Sequence, residues 1–210
     1  MAESILLDDV VRQECLGLRG FSPEEIEIVL DTNALKFSYD SWNSEDLFDE
    51  RLRYKVVVTA GVINEMRNRP SIFGRDAAEE IKRFLNPRVI IPFMSLDDRR
   101  LILQASLLAM KRKRKYGDKD IGCVDSQQIV YALDRARSHL PSVLLSDDGD
   151  ILGSTRILRQ WFPCAEQYMF AVSPTLYLRR KYLHLSEGLT NTLRESSLLE
   201  ICSRYRRVVV

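Results

Sequence analysis

Four short apolar runs punctuate the first two thirds of the sequence: Ile26–Leu30, Val56–Val58, Val89–Ile91 and Val143–Leu145. Each is three to five residues long, dominated by Val, Ile and Leu, and apolar on both alternating faces. That is the pattern of a strand buried on both sides of a sheet. Between the runs, apolar residues recur at helical spacing. Val62, Ile63 and Met66 mark a helix over 60–68 behind Thr59 as N-cap, and a second helix spans 74–85. A third runs over 96–116 with Leu101, Ala105 and Leu108 inside. A fourth is headed by Asp125 and buries Ile129, Val130, Ala132, Leu133 and Ala136. A fifth lies near 151–160, and Met169–Val172 is a candidate last strand. Strands alternating with helices predict an α/β fold with a mainly parallel sheet of four to five strands flanked by helices.

Composition narrows the classes. With 210 residues, 45% hydrophobic and 29% charged, the chain has the make-up of a soluble globular protein with a sizeable core. No apolar run approaches the roughly 20 residues needed to span a bilayer. Met1-Ala2-Glu3-Ser4 is not the start of a signal peptide. The expectation is a cytoplasmic protein that avoids membranes. Cys15, Cys123, Cys164 and Cys202 have no metal-site or disulfide spacing and are expected as reduced, mostly buried thiols. His139 and His184 are the only histidines, which argues against a His-based triad or a His-rich metal site. The net charge of +1 favours no class of partner.

Three regions are expected: an N-terminal helical segment over 1–25, an α/β domain over 26–172 and a helical C-terminal extension over 173–210. Ser22 and Glu25 stand at capping-box spacing just before the first strand. In the extension, Tyr177, Leu178, Tyr182 and Leu183 give one helical pattern an apolar face. It is expected to close the core, with a homodimer or partner surface as the second reading.

Acids sit where such a fold binds ligands. The first strand stops on Asp31-Thr32-Asn33, and the fourth runs into Ser146-Asp147-Asp148-Gly149-Asp150. Carboxyl ends of neighbouring parallel strands open into one crevice. Asp125 stands on the apolar side of its helix, one turn before Ile129, and Glu65 lies on the helix after the second strand. Each has an ordinary structural role to hand. Asp31 is a helix cap, Asp125 and Gln128 form a capping box, Glu65 is surface, and Asp147-Asp148-Gly149 is a turn. Taken one at a time those roles suffice, but they leave unexplained why the acids share one edge. Converging carboxylates stay ionised only beside positive charge. An oxygen-only donor set selects Mg²⁺ or Mn²⁺, which suits phosphodiester hydrolysis.

In the order and spacing of these elements the chain resembles the PIN domain nucleases. Leu30-Asp31-Thr32-Asn33 matches their first strand end and Val62-Ile63-Asn64-Glu65 their early acidic helix. Asp125-Ser126-Gln127-Gln128-Ile129, with Ala132, matches the acid that opens a later helix. Leu144-Leu145-Ser146-Asp147-Asp148-Gly149-Asp150-Ile151 matches the last strand end, with Ile151 where an aromatic residue or leucine is usual. The resemblance covers 26–160. It implies a Rossmann-like sheet, Mg²⁺ or Mn²⁺ dependence and endoribonuclease activity. It also implies that Asp31, Glu65, Asp125 and Asp148 are catalytic and hold metal, with Asp150 as a fifth metal-site acid. Asn33 and Ser146 would orient carboxylates. Asp118 and Asp120 have no counterpart in the family.

The expected partner is RNA, and an inhibitory protein is a further one, since toxin members of the family are held that way. Lys111-Arg112-Lys113-Arg114-Lys115 would grip the RNA backbone through phosphate contacts. The alternative function is a catalytically silent PIN-like module that binds RNA or a protein. A haloacid dehalogenase-type phosphatase ranks lower, because Asn33 stands where that chemistry wants a second Asp.

Overall fold

The computed structural model describes residues 11–12, 14–34, 54–70, 79, 87–110 and 121–173. The apolar runs form strands β1 (Glu27–Leu30), β2 (Lys55–Thr59), β3 (Arg88–Ile90) and β4 (Ser142–Leu145), and Met169–Val172 is β5. Against expectation the third run is not buried on both sides, with Val89 44% and Ile91 82% exposed, because β3 is an edge strand of the sheet. The sheet order is β3-β2-β1-β4-β5. Every neighbouring pair is parallel, so the sheet is parallel throughout rather than mainly so. Helices α1 (Ala60–Asn68), α2 (Leu96–Met110), α3 (Cys123–Arg137), α4 (Gly149–Trp161) and α5 (Pro163–Tyr168) accompany it. Of the expected helix over 74–85 only Glu79, which is helical, is described, and the extension beyond Ser173 lies outside the described residues, as do Asp118 and Asp120.

Strand alternation divides the core into two layers. Ile28 and Leu30 of β1 pack with Val62, Ile63 and Met66 of α1 and with Val11, Cys15 and Leu18. Val29 points the other way, to Ile102 of α2, Ile129 and Leu133 of α3, and Ile151 of α4. Full burial of one such side chain contributes about 1.5–3 kcal/mol. The buried face of α3 is the one its spacing predicts, Ile129, Val130, Ala132, Leu133 and Ala136. On α2 the stripe is rotated: Ile102 is fully buried and Leu108 is exposed. Cys123 is also exposed, against the expectation of mostly buried thiols, because it opens α3 at the rim of the sheet.

The chain builds β1, β2 and β3 outward in one direction, then returns to place β4 and β5 on the other side of β1. The order reverses between β1 and β4, and their carboxyl ends flank the switch point, where open α/β sheets take ligands. The turn from α3 into β4 is tightly made. His139 adopts φ 58°, its N–H donates to the Ala136 carbonyl at 3.0 Å, and Leu140 N–H donates to Arg135 at 2.9 Å. This is a Schellman ending, which satisfies the last helical carbonyls and aims the chain back under the sheet.

The one charged residue of the first apolar run behaves unexpectedly. Glu27 opens β1 and is only 3% exposed. Arg135 lies 3.0 Å from one of its oxygens, and the Arg88 guanidinium reaches both at 2.9 Å. The Tyr131 hydroxyl donates to it as well. Burial and the adjacent Glu27 push that phenol up to about 12, so it remains a donor at every ordinary pH. This charge cluster ties β1, β3 and α3 together at the amino edge of the sheet, opposite Asp31.

Candidate functional site

Asp31 follows β1 directly and is 3% exposed. Its N–H donates to the Leu145 carbonyl at 3.1 Å, which continues the β1–β4 ladder by one residue and fixes where the carboxylate stands. Asp31 Oδ1 accepts from the Thr32 N–H at 2.7 Å and from Gln128 Nε2 at 2.9 Å. Asp31 Oδ2 accepts from the Ser146 hydroxyl at 2.7 Å. Burial raises this carboxyl above its ordinary range. The donors Gln128, Ser146 and Thr32 pull it down, nearby Asp148 pushes it up, and the balance is upward.

The other acids arrive from three helices. Thr32, the residue after Asp31, donates its hydroxyl to Glu65 Oε2 at 2.6 Å and so joins the end of β1 to α1. Gly61 lets α1 approach α3 as well. A Cβ there would stand 2.9 Å from Val124 Cγ2 and 3.0 Å from Gln127 Oε1, both on α3. The missing side chain lets the heads of α1 and α3 close on each other, which brings Glu65 toward Asp125.

Asp125 is the third residue of α3, whose N-cap is Gly122. The capping-box reading of Asp125 with Gln128 therefore does not describe this helix: Gln128 turns inward to Asp31 instead. Asp125 is pushed up to about 7, first by burial and then by the charges of Asp31, Asp148, Glu65 and Asp150. Asp31, Glu65, Asp148 and Asp150 thus all act on one carboxyl.

Asp148 keeps a structural role and joins the site as well. It caps α4, with Oδ1 accepting from the Asp150 N–H at 2.6 Å. Its own N–H donates to the Ser146 hydroxyl oxygen at 2.9 Å, the group that serves Asp31. Asp147 turns elsewhere and accepts from the Ser173 hydroxyl.

Asp31, Glu65, Asp148 and Asp150 are thereby brought within electrostatic reach of Asp125, and Ser146 orients Asp31. Asn33 is exposed and orients no carboxylate among the described residues; the helical turn begun at Thr32 rotates it outward, and Thr32 makes the contact with Glu65. The run Lys111–Lys115 lies outside the described residues. Sequence reasoning missed Thr32 and Gln128. Thr32 sits between two more conspicuous polar residues. Gln128 sits at a spacing from Asp125 that also spells a capping box, and helical phase alone does not decide between the two uses.

Among the described residues no three His, Cys, Asp or Glu side chains form, as they stand, a group that could hold a metal ion. The donor chemistry nonetheless fits a hard divalent cation: the acids around Asp125 supply oxygen only, and their mutual repulsion drives that carboxyl toward neutrality. Comparison with known proteins returns no matching family model, no matching curated protein and no matching solved structure.

Proposed function

We propose that the chain is a PIN-like, metal-dependent endoribonuclease that hydrolyses RNA phosphodiester bonds at the crevice between β1 and β4. The observation that carries this reading is Asp125. A carboxyl pushed to about 7 by burial and by four further acids is a site waiting for positive charge. Asp31, Glu65, Asp125 and Asp148 would hold Mg²⁺ or Mn²⁺, with Asp150 beside them. When bound, the cation supplies Lewis acidity toward the phosphodiester and neutralises charge that builds up in the transition state.

The chain's own residues prepare that site. Ser146 and Gln128 hold the Asp31 carboxylate from both oxygens. Thr32 holds Glu65, and the α4 cap holds Asp148 against rotation. The test is to incubate the pure chain with mixed single-stranded and structured RNAs, with Mn²⁺ or with EDTA. Internal cleavage that requires Mn²⁺ supports the reading. RNA binding without cleavage in Mn²⁺ would replace it with the silent module, and neither binding nor cleavage would remove RNA as the partner.

A further inference from the structure

Gln128 is completely buried, and only one end of its amide is satisfied. Nε2 donates to Asp31 Oδ1 at 2.9 Å, whereas Oε1 has no hydrogen-bond partner among the described residues. Buried polar atoms are almost always paired, so an orphaned acceptor calls for a reason. Turning the amide over would set Oε1 against a carboxylate oxygen, and the two would repel. The orientation is therefore dictated by Asp31 alone. An apolar side chain of similar length would fill the same space and leave no acceptor stranded.

A carboxylate offers about four lone-pair sites. On Asp31, the Thr32 N–H and the Gln128 amide occupy Oδ1, and the Ser146 hydroxyl occupies one position on Oδ2. We infer that Gln128 is a positioning residue: it closes Oδ1 so that Asp31 offers a divalent cation one oxygen, Oδ2. This rests on the cation reading above and adds to it the mode in which Asp31 binds. Without Gln128 the carboxylate keeps its charge but loses one of the three donors that hold its plane. Cation affinity then falls while the fold is retained.

The experiment is a calorimetric Mn²⁺ titration of the full chain, wild type against Gln128→Met, beside a circular dichroism melt of each in EDTA. Methionine matches the length of glutamine and donates nothing. The expected result is a melt close to wild type with Mn²⁺ affinity lowered about 10- to 100-fold, the usual range for loss of a group that orients a ligand. A purely structural role would move the melt and leave affinity per folded molecule unchanged. Wild-type binding of Mn²⁺ with equal affinity in Gln128→Met overturns the positioning role and leaves the cation reading standing. No Mn²⁺ binding by the wild type overturns both. If Gln128→Met and Gln128→Leu both fail to fold, Gln128 is a structural residue and the positioning role is overturned.

Discussion

The Ser146 hydroxyl donates to Asp31 Oδ2 at 2.7 Å, across a sequence separation of 115 residues. The bond joins the carboxyl ends of β1 and β4, adjacent strands on either side of the switch point. Because Ser146 also accepts from the Asp148 N–H at 2.9 Å, one hydroxyl sets two of the acids relative to each other.

That relationship bears on Asp31→Asn. Asparagine keeps an acceptor for Gln128 and Thr32, and its amide donates toward Ser146, whose hydroxyl oxygen has a second lone pair to accept it. The variant is expected to fold and, without cation at pH 8, to melt at or above the wild-type temperature, since one of several repelling charges is gone. RNA cleavage should fall by more than the roughly 10- to 100-fold typical of losing an outer partner of a metal ligand. Full activity in Asp31→Asn would remove it from the site.

Asp125 makes stability depend on pH. Its folded value of about 7 lies above the ordinary carboxylate range, so between the two the folded chain binds more protons than the unfolded one. Stability from this group is therefore present below the ordinary range and lost as pH rises toward and through 7. Metal-free protein is expected to melt lower at pH 8 than at pH 5.5, with Mn²⁺ recovering the difference at pH 8. Asp125→Asn should flatten the melt-against-pH curve. A wild-type curve that is already flat would contradict the crowding of acids around Asp125.

Gly61→Ala tests how the site is assembled. The new Cβ would meet Val124 at 2.9 Å, a branched side chain with little room to move, so α1 and α3 must part slightly. Overpacking of this kind costs about 1–3 kcal/mol. Because the displacement separates Glu65 from Asp125, Mn²⁺ affinity should fall along with the melting temperature. A lower melt with unchanged affinity would mean that Gly61 serves packing alone.

Glu27 offers the opposite dissociation. Glu27→Ala leaves Arg135, whose side chain is 12% exposed, without its carboxylate. Breaking a buried pair typically costs about 3–5 kcal/mol, and exposed Arg88 places this case near the lower figure. Chemical denaturation should report that loss, while Mn²⁺ affinity of the folded protein stays at the wild-type value because the cluster lies on the other edge of the sheet.

Lys111, Lys113 and Lys115 replaced together by Gln should weaken binding to every RNA sequence and flatten the dependence of binding on salt, as fewer counterions are released. An unchanged salt slope would assign the backbone contact to another face.

What the sequence determined by itself was local. Apolar runs of three to five residues, punctuated by acids and helical stripes, are enough to specify a parallel α/β sheet, because alternation and chain connectivity permit little else. The same reading placed Asp31 and Asp148 at strand ends, and the buried face of α3, from period alone. Tertiary structure decided everything that depends on which strand lies beside which. Only the order β3-β2-β1-β4-β5 makes Asp31 and Ser146 neighbours. The close approach of α1 to α3 at Gly61 accompanies the electrostatic coupling of Glu65 to Asp125, which no local pattern in the sequence specifies. Gln128 could cap its own helix or serve another strand's carboxylate. The choice was made when burial removed water as a competitor and left Asp31 as the partner for its amide. Glu27, a charge inside an apolar run, likewise took its place in the interior once Arg135, Arg88 and Tyr131, from other elements, arrived to pair with it.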